Sequence, residues 1–397
     1  MTLTLPDFCL VMISAATEPA ARALAARHFN PGEIVAHDDA GAIEQRLAAR
    51  RLVAVAGSFD TAAQRQPLAK LAKRHHADAI AIVTAGDGAT TKPRHGDAAR
   101  HARDVEKLQG EGFRSAILLH SAAEADALSI RRVPTATDRR FDMGPFDIIG
   151  DVHGCADELV ELMGRLGYRV RLEGAGAERR AIVETPPGRR AFFVGDLVDR
   201  GPNAPDVLRI VMDMAAAGQA HCVPGNHDAK FLRWLDRKRV TLTHGLDRTV
   251  TQMTAEPPTF HIRTRDFLRS LKSHAWLDEG RLAIAHAGIR ADMIGRVAGG
   301  VREFCLYGDT DGTDEGGMPI RWHWAAAYTG ETAIVYGHTP VPEADWVNNT
   351  LCIDTGCCFG GRLTALRWPE REIVSVPARM QYAAPSRPLG HPPVRPT

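Results

Sequence analysis

The sequence predicts two successive α/β units, the first a doubly wound parallel sheet, and three observations carry that expectation. Over the first third, short β-branched or apolar runs alternate with helical stretches, as in strand–helix–strand units with parallel strands. From Phe146 onward, apolar runs recur and each breaks into glycine beside acidic, amide or imidazole residues. The length of 397 residues exceeds the ~100–200 residues of a typical single domain.

Composition agrees with that reading. At 44% hydrophobic and 24% charged residues the chain is ordinary globular material. Its 49 Lys+Arg against 48 Asp+Glu leave a net charge of +1, so no basic field draws in a nucleic-acid backbone. No stretch approaches the ~18 apolar residues of a membrane span. The start, MTLTLPDF, lacks a basic segment ahead of an apolar core. No membrane partner and a cytoplasmic location are therefore expected. The 7 cysteines, odd in number and without a C-x-x-C pair, read as reduced, small buried hydrophobes.

In chain order, FCLVMIS, EIVAH, RLVAVAG, AIAIVTAG and RSAILLHS are the expected strands of the first unit, residues 1–130. EPAARALAARHF, AGAIEQRLAAR, TAAQRQPLAKLAKRHH and GDAARHARDVEKLQGEG are its helices. The polar, Pro-bearing stretch IRRVPTATDRRFDM interrupts the pattern, and 131–143 is taken as a linker. The second unit, 144–378, opens at FDIIGDVHG and continues through AFFVGD, HCVPGNHD, LAIAHAG, AIVYGH and LCIDTG. The Pro-rich segment 379–397 is expected to be a disordered tail.

The chemistry sits where those strands end. Asp151 and His153 lie in GDVHG, Asp196 in GDLVDRG, Asn226 and His227 in GNHD, His286 in HAG and His338 in GHT. A lone D-x-H is ordinary loop material. Five such ends in one chain are different, because ligands in open α/β sheets collect beyond the carboxyl ends of strands. Carboxylate and amide oxygens mixed with imidazoles suit borderline divalent ions such as Mn, Fe or Ni. The flanking glycines suit a backbone that turns sharply beside ligands.

These motifs resemble the binuclear metallophosphoesterases of the phosphoprotein-phosphatase-like branch, marked by GDxHG, GDxxDRG and GNH[DE], over about Gly144–Ala378. The resemblance implies a calcineurin-like β-sandwich flanked by helices, with two divalent metal ions, Mn first and Ni or Fe as alternatives. It implies that Asp151 and His153 bind the first metal, that Asp196 bridges, and that Asn226, His286 and His338 complete the second. In-line attack by a hydroxide shared between the metals would follow, with Arg200 gripping the phosphoryl group. His227 would protonate the leaving oxygen with Asp199 holding its ring. Asp228 stands where that branch usually has Glu, which leaves its packing open.

GPFDIIGDVHGC, FVGDLVDRGP, VYGHTPVPE and LCIDTGCCFGGRLTALRWPERE also resemble the phosphatase module of bacterial polynucleotide kinase-phosphatase. By that resemblance Asp354 joins the active site. Phosphomonoesters are then the expected substrates: a phosphorylated small molecule, a nucleotide or an RNA end, including 2′,3′-cyclic ends. A protein Ser/Thr phosphatase and a dinucleoside polyphosphate hydrolase are the alternatives, since both use the same metal motifs. A binding protein with both units inactive is disfavoured by intact residues at every metal position.

The first unit resembles a P-loop-kinase-like domain that lacks its P-loop, from ARHFNPGEIV, LAKLAKRHHADAIAIV and EGFRSAILL. A phosphate cradle G-x-x-x-x-G-K-[ST] should follow the first strand, yet the sequence there is ISAATEPAARALAARHF, with neither Gly nor Lys. No ATP binding is therefore expected. Asp38, about where the kinase would place its activating carboxylate, reads as a solvated or capping residue. No K-x-D-G ligase segment is present.

Overall fold

The computed structural model describes residues 1–84 and 97–396. It divides into two units, one of Met1–Ala136 with Arg296–Gly300, the other of Thr137–Gly295 with Val301–Thr397.

The first unit contains strands β1 (Thr2–Pro6), β2 (Cys9–Ser14), β3 (Ile34–Ala36), β4 (Val53–Gly57), β5 (Asp78–Thr84), β6 (Ser115–Leu119) and β7 (Ser129–Val133). Five of them form one all-parallel sheet in the order β3-β4-β2-β5-β6. The central strand shows why its sequence is continuously apolar. Val11 and Ile13 enter one core with Leu24 and Phe29, while Leu10 and Met12 enter another with Ile43 and Leu47. Both faces are covered by helices, as a doubly wound parallel sheet requires. Helix Glu18–His28 is capped by Thr17 and carries Glu18 in its first turn. Asp38 is exposed, and the next residue, Asp39, caps helix Ala40–Ala48.

Part of the segment expected as linker is ordered structure. β7 pairs in parallel with β1 from Thr2↔Ser129 to Pro6↔Val133, burying Leu3 and Leu5. That pairing joins residues 127 positions apart, so no local periodicity announces it.

The second unit adds β8 (Asp138–Arg139), β9 (Phe146–Ile149), β10 (Arg169–Glu173), β11 (Arg180–Glu184), β12 (Arg190–Phe193), β13 (Ala220–Cys222), β14 (His274–Leu277) and β15 (Leu282–Ala285). It continues with β16 (Asp309–Thr313), β17 (Pro319–Trp322), β18 (Ala333–Tyr336), β19 (Trp346–Val347), β20 (Thr350–Cys352), β21 (Arg362–Trp368) and β22 (Glu372–Pro377). Two sheets form the centre, β13-β12-β9-β21-β22 and β19-β20-β18-β15-β14-β8, while β10/β11 and β16/β17 are separate antiparallel ribbons. Phe146, Ile148, Phe192 and Val194 of the first sheet meet Ile284, Val335 and Leu351 of the second in a shared core. Alternate residues Ile149, Ala191 and Phe193 face the opposite way, onto helices Ala156–Arg165 and Ala204–Ala216. The expected β-sandwich with flanking helices follows from this period of two.

The remaining expectations divide. All seven cysteines are free, and six of them are buried. Among the described residues no helix is long and apolar enough to cross a membrane. The tail, expected to be disordered, is instead held by hydrogen bonds as far as Arg395. Gly390 N donates to Pro340 O at 2.8 Å, and Pro393 O accepts from His323 N at 2.8 Å. Arg395 donates to Asp309 at 2.8 Å. Tertiary anchors override a composition that, read alone, favours disorder.

Beneath the first motif, Asp147 of β9 is fully buried and accepts from Tyr168 Oη at 3.0 Å and from Arg189 and Arg367 Nε at 3.1 Å each. Removing the carboxylate leaves two guanidinium groups facing each other without it. Asp147→Ala should destabilise this unit by about 3–5 kcal/mol. All six tryptophans lie within it, from Trp234 to Trp368, so urea unfolding followed by tryptophan fluorescence reads its stability directly. An unchanged midpoint would contradict the role given to Asp147.

Candidate metal centre

Two triplets of parallel strands position the site. β9, β12 and β13 run parallel in one sheet, and β15, β18 and β20 run parallel in the other. Asp151 and His153 follow β9, Asp196 to Arg200 follow β12, and Asn226 and His227 follow β13. His286, His338 and Asp354 follow β15, β18 and β20. Parallel register therefore delivers every predicted residue at a strand's carboxyl end.

The loops are stitched to one another. His153 N donates to Asp196 O at 2.8 Å, His227 N to Asp196 Oδ1 at 3.0 Å, and His338 N to Asp151 Oδ2 at 3.0 Å. His153, Asp196, Asp199, Arg200 and His338 all adopt left-handed backbone, with φ between 45° and 74°. Such conformations cost on the order of 1–3 kcal/mol each and persist only where the surroundings hold them. Two glycines make the close approaches possible. A Cβ on Gly225 would meet Asp196 Oδ1 at 2.0 Å, and one on Gly337 would meet Asp151 Oδ1 at 1.9 Å. That is the physical reason for the glycine in GNHD and in GHT.

The donor atoms converge in two groups, His153–Asp196–His227 and Asp196–His286–His338, each with its ligand atoms within 4.8 Å of one another. Asp196 belongs to both. Its Oδ2 lies 3.4 Å from His153 Nε2 and its Oδ1 lies 3.5 Å from His286 Nε2. Asn226 Oδ1 is 3.0 Å from His286 Nε2 and 2.8 Å from His338 Nδ1. The tautomers suit ligation. His153 Nδ1 donates to Val198 O at 2.8 Å and His286 Nδ1 to Val194 O at 3.1 Å, leaving each Nε2 lone pair facing the centre.

The electrostatics favour a cation. Burial holds His153, His286 and His338 below the ordinary histidine value, so their rings stay neutral. Burial, reinforced by the neighbouring Asp354 and Asp196 carboxylates, pushes Asp151 well above the usual carboxylate range. Burial likewise pushes Asp354 up to about 6. Asp151 Oδ1 and His338 Nε2 are buried without a hydrogen-bond partner. Crowded buried carboxylates, neutral imidazoles and orphaned acceptors are a donor set that divalent ions satisfy.

The flanking residues are placed as follows. His227 Nδ1 donates to Asp199 Oδ2 at 2.6 Å. Arg200 donates to His153 Nε2 at 2.5 Å and to His227 Nε2 at 2.9 Å, with its guanidinium 5.0 Å from the Phe359 ring centre. The His153 lone pair serves either Arg200 or a metal, so the two arrangements exclude each other. Asp354 Oδ1 accepts from Gly356 N at 3.0 Å, a turn contact that coexists with its place beside Asp151. Asp228, shorter than the Glu of the related branch, accepts from Leu197 N at 3.0 Å and Gly225 N at 2.9 Å, tying two motif loops together.

Two contributors escaped the sequence reading. Thr249 Oγ1 donates to Asp199 Oδ1 at 2.7 Å and accepts from Asp199 N at 2.9 Å. Arg321, on the β16/β17 ribbon, lines a cavity of about 310 Å³ together with Asp196, Arg200, His227 and His338. Burial and the nearby Arg387 and Arg200 lower the pKa of its guanidinium. An anion between these arginines would relieve both the burial and the repulsion. Neither residue lies in a motif or at the end of an apolar run, so no local signal marked them.

Comparison with known proteins agrees with this geometry. The calcineurin-like phosphoesterase family model matches residues 144–364. The chain is 46% identical over 245 residues to the asymmetrical bis(5′-nucleosyl)-tetraphosphatase PrpE of Anoxybacillus flavithermus, covering 60% of this chain and 96% of that one. It is 47% identical over 241 residues to the protein of the same name from Geobacillus thermodenitrificans, covering 59% and 95%. With the Bacillus subtilis protein of that name the identity is 42% over 242 residues, covering 60% and 96%. With the family's motifs gathered around one buried, acid- and imidazole-lined centre, this chain belongs to the calcineurin-like phosphoesterases and is a metal-dependent phosphoesterase.

Proposed function

We propose that the chain hydrolyses dinucleoside polyphosphates, cutting the phosphate chain asymmetrically. The observation that carries this reading is the similarity over nearly the whole length of proteins named asymmetrical bis(5′-nucleosyl)-tetraphosphatases. That similarity favours a dinucleoside polyphosphate over an RNA end as the substrate. Arg200 and Arg321, two of the three arginines that line the cavity, support a substrate of more than one phosphate.

In this reading Asp151, His153, Asp196, Asn226, His286 and His338 would hold two divalent ions, Asp196 being the donor common to both groups. Manganese is the first expectation, then nickel or iron. When bound, such ions lower the pKa of a water and neutralise phosphate charge. The chain's own residues supply the rest. Arg200 and Arg321, which line the same cavity, draw the phosphoryl oxygens into register through charge-assisted hydrogen bonds. With Arg200 drawn onto phosphate and off His227 Nε2, the ring takes up a proton from solvent at that nitrogen and, as imidazolium, passes it to the leaving oxygen. Its Nδ1–H stays on Asp199, which fixes the ring and stabilises the imidazolium. Thr249 holds that carboxylate from the far side, as a positioning residue. Asp354 buttresses Asp151 through their shared buried setting.

The N-terminal unit is read as a non-catalytic binding or structural domain. Thr17 caps the helix after the central strand, and Glu18 puts a negative charge where a phosphate would dock.

Two measurements test these assignments. With Mn, Ni, Fe or Mg added in turn, kcat/KM should be compared for a dinucleoside tetraphosphate, a 2′,3′-cyclic nucleotide and a phosphopeptide. The tetraphosphate should lead by tenfold or more and yield one nucleoside triphosphate and one monophosphate. Preference for the cyclic nucleotide would restore the RNA-end reading and overturn this one. Thr249→Val should lower kcat about tenfold with little change in KM, while Thr249→Ser should recover most of it. Equal behaviour of the two variants would show that Thr249 only fills space.

A further inference from the structure

The cavity over the metal centre is not enclosed by the sandwich loops alone. Half of its wall is the segment Pro385–Pro393, PSRPLGHPP, from the C-terminal end of the chain. That segment is held on both sides of the opening. On one side Tyr382 N and Ala383 N donate to Cys358 O at 3.0 and 2.9 Å, and Gly390 N donates to Pro340 O. On the other, Arg387 Nη2 donates to Asp314 Oδ2 at 3.2 Å and to Pro319 O at 3.0 Å. His391 stacks on His323 with ring centres 4.2 Å apart and planes 12° apart. The strap thus runs from the loop after β20 to the β16/β17 ribbon that carries Arg321.

Its composition fits a wall rather than a hinge. Four prolines in nine residues restrict the unfolded chain and offer ring C–H surface with no N–H to satisfy. Arg200, Arg321 and the strap's own Arg387 line the same space, as does Phe359. A ligand that matches this lining has a phosphate chain for the arginines and a flat, largely apolar group for the proline rings. The cavity, about 310 Å³, lies at the small end of the roughly 300–1,000 Å³ of ligand pockets. That volume suits one nucleoside with its phosphates rather than a folded phosphoprotein loop.

We propose that Pro385–Pro393 is the specificity wall of the active site: it packs against one nucleoside of the substrate and excludes phosphoproteins. This rests on the reading of the substrate as a dinucleoside polyphosphate.

The test compares the full chain with a version ending at Ala384 and with the point variant Leu389→Asp. Titration calorimetry with a methylene-bridged, non-hydrolysable dinucleoside tetraphosphate reads binding. The ratio of kcat/KM for dinucleoside tetraphosphate to that for p-nitrophenyl phosphate reads selectivity. Truncation should weaken analogue binding tenfold or more, lower the ratio by a similar factor, and raise turnover of a phosphopeptide. Leu389→Asp should weaken binding at least threefold, and it carries the test if the shortened chain fails to fold by tryptophan fluorescence. Unchanged affinity and ratio in a folded variant would overturn the wall. A wrong substrate reading would show differently, as poor tetraphosphate turnover by the full chain itself.

Discussion

Asp196 is the donor that both triads of the metal centre share, and its placement constrains everything around it. Its carboxylate is buried between His153 and His286, its backbone is left-handed at φ 50°, and its Oδ1 also accepts from the backbone N–H of His227. A buried carboxylate in that position is costly unless it is ligated. The sandwich supplies the partners by ending six parallel strands, three from each sheet, around it. Gly225 has to be glycine because any side chain there would occupy the space of Asp196 Oδ1. The stability of the strand ends and the chemistry of the site are therefore one constraint, not two.

A second layer turns that fixed centre into a directional one. Thr249, Asp199 and His227 form a line of hydrogen bonds at 2.7 and 2.6 Å that holds one imidazole nitrogen inward. Arg200 spans His153 and His227, so the group read as the phosphate clamp also rests on the ring read as the acid. In the proposed reading, substrate phosphate would compete for the same guanidinium, and binding and proton delivery would be coupled through that single side chain.

Much of this was legible in the sequence because it is written locally. In the second unit an apolar run that breaks into Asp, Asn or His beside glycine marks a strand end, and the runs before Asp151, Asp196, Asn226, His286 and His338 all end at the centre. The central strand of the first unit was equally plain, because burial on both faces leaves an unbroken apolar run. What was not legible depends on distant partners. The β1/β7 pair joins the two ends of the first unit, Thr249 acts only through a carboxylate 50 residues away, and Arg321 stands on a polar ribbon without apolar period. The C-terminal strap looked disordered by composition, and is ordered by contacts to Pro340, Asp314 and His323 that no local pattern encodes.

The most direct test of the shared carboxylate is the metal content of the chain. Protein equilibrated with Mn and freed of loose metal by gel filtration should carry two ions per chain by plasma mass spectrometry. Asp196→Ala should retain fewer than one, because both proposed sites lose the carboxylate they share. Two ions retained in that variant, or a single ion in the unaltered chain, would contradict the account.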